Sequence, residues 1–324
     1  MGMLATYLQQ EFMRLCPDGW TSKHEMPLLP RDLTHLLGYA PRVDVLLERK
    51  DGSKRLWIEF EISRADPVAN HAKFATSHLF QPQPCTDSFV AMLSPHVARG
   101  RRNLASNTIS LMRCIGMNAF QTVLFPHLSG QEVKRLNHLS QSSIMSERLN
   151  VKAEIERVFL ISEAILTVPE RRIHFAGDIL DVMLNLHRWN KDMSSVQGHR
   201  LWGRRTITYF VYEPRSGDFA PSKYCAFVGL PTTSQGNCEG TVSIRAVKSE
   251  MTVELYASVD DSDRRFDGRR ARIHLTNNLG MIQISPQEDR SILGHFHKWV
   301  SRYTECITIH PAGPAFILPP RWFQ

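Results

Sequence analysis

Apolar positions recur at helical spacing where the chain begins. Leu4, Tyr7, Leu8, Phe12 and Leu15 share one stripe of "LATYLQQEFMRL" and predict an amphipathic helix that "PDGW" ends. The period then changes to two. In "PRVDVLLERKDGSKRLWIEFEIS", residues 41–63, apolar residues alternate on both sides of Asp51-Gly52, a dipeptide suited to a type I′ hairpin turn. "DPVANHAKFATSHLF" reads as a helix with Asp66 as its N-cap and Pro67 at the first position. "DSFVAMLSP" is a short buried strand. "HVARGRRNLASNTISLMRCIG" is helical in its second half and ends at Gly116. "NAFQTVLFP" is another strand, and "SGQEVKRLNHLSQ" a helix capped by Ser129. A further strand at "KHEMPLL" would complete an antiparallel meander. Strands alternating with helices after an initial hairpin predict an α/β sandwich with a mixed sheet.

From Leu149 to His187 the pattern is helical again ("VKAEIERVFLISEAIL", "AGDILDVMLNLHRW"). After "DMSSVQGHR" short β-like runs dominate: "RTITYFVYE", "KYCAFVGL", "TVSIRAV", "TVELYASV", "ARIHL" and "MIQISP", separated by turn signals such as "RSGD" and "SQGN". The expected organisation is an α/β core over residues 1–145, a helical connector over 146–199, and a β-rich domain over 200–324.

Composition narrows the partners. A chain of 324 residues with 42% hydrophobic and 22% charged residues has the profile of a globular protein large enough for two domains. The net charge of +7 suits an anionic partner, nucleic acid first; a basic enzyme of another kind has the same charge. Six scattered cysteines without a CxxC pair argue against a zinc ribbon and a secreted disulfide framework, and reduced thiols in a cytoplasmic protein fit them. No apolar run approaches the ~20 residues of a membrane span, and no signal peptide is expected. Gly2 and Thr6 match the loose myristoylation pattern, with nothing else in its favour.

The hairpin also places carboxylates inside apolar runs. Asp44 faces Glu59 in one of two possible registers and Glu61 in the other, and either register puts all three carboxylates on one face. Val43, Val45, Leu47, Leu56, Ile58, Phe60 and Ile62 make the opposite face core. Leu46 and Trp57 lie on the carboxylate face, so it is not fully wet. Three crowded carboxylates raise one another's pKa, a conflict that Mg²⁺, a hard cation with oxygen ligands, would remove. A half-exposed antiparallel hairpin with polar residues outside would show the same alternation.

A helix, then Asp on one strand, then E-x-E on the next strand of a hairpin, then a helix resembles the PD-(D/E)xK nuclease superfamily, the restriction-endonuclease-like α/β/α fold. The matching residues are Pro41-Arg42-Val43-Asp44 and Glu59-Phe60-Glu61, and the similarity covers roughly residues 1–140. Two departures stand out: the proline lies three residues before Asp44, and the last motif position is Glu61 rather than lysine. The resemblance implies a Mg²⁺-dependent endonuclease acting on double-stranded DNA, with Asp44 and Glu59 binding the metal. It implies that Glu61 ligates or orients the attacking water, a metal having lowered that water's pKa. Lys73, on one helical stripe with Asn70 and Ser77, is a candidate for the missing lysine or for a phosphate contact. Glu25, beyond the first helix, is a candidate outer carboxylate, although an exposed glutamate is the simpler expectation.

Arg99, Arg101 and Arg102 in "HVARGRR" and Arg264, Arg265, Arg269, Arg270 and Arg272 in "DSDRRFDGRRARIH" are candidate phosphate contacts. Asp261, Asp263 and Asp267 dilute the second group. The C-terminal part is a candidate target-recognition module, possible reader of a modified base, and "GDFAPSKYCAF" is its first candidate for a base pocket. "HFHKW" carries His295 and His297 at ligand-like spacing for a strand, without a third ligand. Cutting both strands favours a homodimer. A non-catalytic DNA-binding protein on the same scaffold, or an interaction protein whose charge is incidental, would account for the sequence without cleavage.

Overall fold

The structure is a computed structural model that describes the chain except residues 1, 64–66, 85, 163, 169–170, 232–250, 263–267, 322 and 324. Among the described residues the chain divides into two compact units, 2–162, and 164–231 with 251–323. Both are mixed α/β.

The first unit runs α1 (Met3–Arg14), β1 (Trp20–Pro27), α2 (Arg31–Leu37), β2 (Arg42–Arg49), β3 (Arg55–Glu61), α3 (Pro67–Phe80), β4 (Ser88–Leu93), α4 (Arg99–Cys114), β5 (Ala119–Val123), α5 (Gly130–His138), α6 (Gln141–Ser146) and α7 (Val151–Ser162). Its five strands form one mixed sheet in sequence order. β1, β2 and β3 pair antiparallel, then β3, β4 and β5 parallel. The first of the two hairpin registers holds, with Val45 opposite Ile58 and Leu46 opposite Trp57. Gly52, at φ +71°, makes the turn that a side chain would resist.

Helices cover both faces of the sheet. Phe12 of α1 meets Phe60 edge-on at 5.1 Å, and α7 packs over β4 and β5. On the other face Leu46, Trp57, Phe89 and Ala91 share a core with Phe74 of α3 and Ala105 and Ile109 of α4. That is the carboxylate face, so it is buried more deeply than alternation alone suggests. Ser129 caps α5 in a full capping box with Glu132. α4 begins at Arg99, so the glycine beside the arginines does not delay the helix. Asp66, read as the cap of α3, lies outside the described residues.

The second unit comprises β6 (Ala164–Val168), β7 (Arg171–Phe175), α8 (Ile179–Asp192), α9 (Val196–Trp202), β8 (Arg205–Ile207), β9 (Tyr209–Glu213), β10 (Asp218–Pro221), α10 (Ser222–Ala226), β11 (Phe227–Pro231), α11 (Val253–Ser262), α12 (Gly268–Ile273), a π-helical turn (His274–Asn278), β12 (Ile282–Ile284), α13 (Arg290–Val300), β13 (Ile307–Ile309) and β14 (Ala315–Leu318). Among the described residues there are a four-stranded sheet (β10-β9-β14-β12), a three-stranded sheet (β11-β7-β6) and a β13-β8 pair. Phe210, Phe219 and Phe316 of the four-stranded sheet form an aromatic core with Trp189 of α8 and Phe296 and Trp299 of α13.

Several expectations are corrected here. The helical connector of residues 146–199 does not exist as a body: α7 belongs to the first unit, and the β6–β7 hairpin begins the second. Nor is the C-terminal part predominantly β. "TVELYASV" forms most of α11, "ARIHL" runs through α12 into the π turn, and "HFHKW" sits in α13. Their apolar residues serve helix faces; Ile292, Phe296 and Trp299 make a buried helical stripe. "TVSIRAV" lies outside the described residues. Among the described residues no helix is long and apolar enough to cross a membrane, and Cys16, Cys225 and Cys306 are free thiols.

Candidate active site

The hairpin ladder ends one step before the acidic residues. Val45–Ile58 is its last pair, and beyond it Asp44 uses its own carboxylate as an acceptor: Phe60 N–H donates to Oδ2 at 2.8 Å. This fixes the Asp44 side chain alongside Glu59 at the C-terminal end of β3. Glu61 follows on the same face. Glu59 is only 2% exposed and Glu61 5%, so neither belongs to a solvated outer face.

α3 supplies the polar partners. Lys73 Nζ stands 2.9 Å from Glu59 Oε1, and Asn70 Nδ2 donates to Glu61 Oε1 at 2.8 Å. The two are three residues apart on the helix, which points both at β3. Ser77, the third residue of that stripe, is turned away: its hydroxyl donates to the Lys73 carbonyl at 2.7 Å. α1 contributes from the other side. Gln9 Nε2 lies 3.4 Å from Asp44 Oδ1 and donates to Glu25 Oε1 at 3.0 Å.

Glu25 was expected on the surface, and the structure instead brings it into the same cleft. The reason is local. Glu25 has φ +51° within β1, an uncommon left-handed conformation for a residue with a side chain. His24 and Met26 on either side keep their pairing with β2. Gln9 and Glu25 are the residues sequence reasoning missed or undervalued; a polar Gln9 on the apolar stripe of the first helix was the available signal.

Together these groups line a cleft of about 420 Å³, bounded by Asp44, Glu59, Glu61, Asn70, Lys73 and Glu25 among others. Its electrostatics are unfavourable to carboxylates. Burial raises the Asp44 pKa, against the hydrogen bond from Phe60 and the charge of Lys73. Burial, and then the Asp44 charge, hold Glu59 well above the usual carboxylate range despite Lys73. Such a pair is short of positive charge.

Among the described residues no group of three or more His, Cys, Asp or Glu side chains is arranged to hold a metal ion. Mg²⁺ asks for less, since it commonly takes one or two carboxylates and completes its octahedron with water and substrate phosphate. Asp44 and Glu59 offer such a pair of hard oxygen donors, and a cation bound to them would offset the burial and mutual repulsion that raise their pKa values. His295, by contrast, pairs its Nδ1 with the Tyr212 hydroxyl at 2.8 Å on a helical framework, which does not form a zinc site.

The arginine groups separate. Arg101 is exposed on α4, whereas Arg102 is buried at 5% exposure, and burial lowers its pKa to about 10. Arg102 therefore faces the protein rather than a phosphate. Arg99 opens α4, and its side chain is not among those described. Arg269 and Arg270 are exposed on α12, Arg270 lying 5.1 Å over the Phe175 ring. Arg264 and Arg265 lie outside the described residues. No protein-family model, curated protein or solved structure matches the chain.

Proposed function

We propose that the first unit is a PD-(D/E)xK-type DNA endonuclase module, Mg²⁺-dependent and most like a type II restriction enzyme, that hydrolyses phosphodiester bonds in double-stranded DNA. The observation that carries this reading is the convergence of Asp44, Glu59 and Glu61 with Lys73 in one cleft at the end of β3. A carboxylate cluster on the parallel end of a mixed sheet, flanked by a lysine, has the donor types that phosphodiester hydrolysis needs.

Mg²⁺, when bound, supplies Lewis-acid stabilisation of phosphoryl charge and lowers the pKa of water. Asp44 and Glu59 are the residues that would hold it. Glu61, fixed by Asn70, orients the attacking water and can take its proton. Lys73 approaches from α3 rather than from the motif's third position, and its ammonium is placed to meet a phosphate oxygen beside Glu59. A lysine displaced by one helix thus stands in for the residue that Glu61 replaces.

The test is incubation of the purified protein with Mg²⁺ on unmodified and cytosine-modified DNA, with Glu59→Ala as control. Discrete fragments lost in the control are the expected result. Cleavage confined to modified DNA would assign modification dependence to the protein. One second reading is a non-catalytic DNA-binding protein on this scaffold, in which the Lys73–Glu59 ion pair alone neutralises the buried carboxylate. Salt-dependent DNA binding without cleavage on any substrate would select it.

A further inference from the structure

The connection between β1 and β2, residues 28–41, carries α2 and ends on the rim of the active-site cleft, which Tyr39, Ala40, Pro41 and Arg42 line. α2 buries none of its residues, so core packing does not account for the excursion. Its far end is nonetheless fixed. Gly38, at φ +74°, closes the helix in the left-handed conformation. Pro41 is buried, and its carbonyl accepts from the Leu28 amide at 2.9 Å. Tyr39 lies between these two points and is still 45% exposed while lining the cleft. Among the described residues its ring meets no other ring and its hydroxyl has no hydrogen-bond partner.

Arg42 follows at the start of β2. Val43 turns into the core at 1% exposure, and Arg42 and Asp44 share the opposite face. The two-residue step sets them about 6.6 Å apart along the strand. Among the described residues two cations line the cleft, and the other, Lys73, is engaged by Glu59 at 2.9 Å. Arg42 is exposed and pairs with none of Glu25, Asp44, Glu59 and Glu61, although all four line the same cleft. Its guanidinium thus keeps its donors for a partner outside the chain.

The cleft therefore has carboxylates on its floor, and a guanidinium and an uncovered ring on its rim. That order of charges matches a nucleic-acid strand. The floor needs a bound cation before a phosphate can approach it, whereas the rim attracts a phosphate by itself. Contacts to phosphate and sugar set the register of a strand without reading its bases.

We propose that Arg42 takes the phosphate next to the one lying over Asp44 and Glu59, and that the Tyr39 ring packs on the sugar between them. This deepens the reading of the first unit as a DNA-cleaving module and rests on it for the identity of the strand. Both residues bind the strand and take no part in proton transfer.

Fluorescence anisotropy of a labelled mixed-sequence duplex with the full-length protein, in chelator and across salt concentrations, tests the two residues separately. Arg42→Ala should reduce the slope of log affinity against log salt by about 1, and Arg42→Lys should restore it. Tyr39→Ala should weaken binding about fivefold at every salt concentration, because it removes apolar contact and no charge. Tyr39→Phe should bind like the wild type. Both positions are exposed, and the lysine and phenylalanine variants keep the test valid should an alanine variant fold poorly. An unchanged slope in Arg42→Ala, unchanged affinity in Tyr39→Ala, or no duplex binding by the wild type would overturn the assignment. Cleavage in Mg²⁺ separates it from the nuclease reading. Cleavage that Glu59→Ala abolishes, with binding indifferent to both rim residues, overturns this assignment alone. Binding that responds as expected, without cleavage by the wild type, sustains it and overturns the nuclease reading alone.

Discussion

Lys73 Nζ stands 2.9 Å from Glu59 Oε1, reaching from the middle of α3 to the third-from-last ladder position of β3. The pair joins a buried acid to a lysine whose chain position lies outside the Glu59-Phe60-Glu61 run. If Lys73 meets the phosphate, Lys73→Ala should reduce the cleavage rate by about 100-fold or more while the protein still binds DNA. Initial rates on a defined duplex check this, and unchanged cleavage would remove Lys73 from the mechanism.

Glu59 links the electrostatics of the cleft to stability. Its folded-state pKa is raised by burial and by Asp44, so the protonated form fits the fold better than the anion. The stability it allows is complete below the unfolded-state pKa and is lost as pH rises through the folded-state value. Wild-type protein in chelator should therefore melt at progressively lower temperature as pH rises above the ordinary carboxylate range. Glu59→Gln should flatten that slope and melt a few degrees higher at pH 8, with a smaller slope left from Asp44, which shifts in the same direction. Thermal scans across pH compare the two.

The same charge deficit predicts a metal response independent of turnover. Mg²⁺ at a hundredfold excess over its dissociation constant should stabilise the protein by about 2.7 kcal/mol. The double variant Asp44→Asn/Glu59→Gln should show no Mg²⁺-dependent rise in Tm. An equal rise in both would place the ion elsewhere.

Asn70 holds Glu61 through a 2.8 Å hydrogen bond. Its loss should leave Glu61 less well oriented, and Asn70→Ala is expected to lower cleavage between about 10- and 100-fold with little change in DNA affinity. Single-turnover kinetics beside a binding titration distinguish this from a general loss of the complex.

Adjacent arginines should behave differently. Arg101 is exposed and Arg102 buried. In a plot of log affinity against log salt, Arg101→Ala should reduce the slope by about 1 if α4 meets the DNA backbone. Arg102→Ala should leave the slope alone and lower the midpoint of chemical denaturation.

The first unit was legible because its signals were redundant. Asp51-Gly52 marked the turn and period-two alternation set the faces, which put Asp44, Glu59 and Glu61 on one face and left two registers open; the ladder of the hairpin selects the one with Asp44 beside Glu59. What the pattern did not carry was depth: Glu59 and Glu61 are buried because α3 and α4 pack over Leu46 and Trp57, a contact between distant segments. Glu25 reached the cleft through a backbone conformation that a glutamate gives no reason to expect. The second unit was harder to read because its apolar runs are short. "TVELYASV" satisfies a strand's alternation and a helix's stripe alike, and only its packing decides. The β6–β7 hairpin went unread because "EAILTV" continued a helical run.

Glu25 also has a bearing on how this cleft can be reshaped. A carboxylate at φ +51° sits on a backbone that glycine or asparagine would occupy more comfortably. Selection for heat tolerance alone would therefore tend to replace it, and would remove with it the carboxylate that Gln9 ties to Asp44. Laboratory evolution that screens for robustness without screening for chemistry should find position 25 early, and should pass over Asp44, whose carboxylate also takes the Phe60 amide.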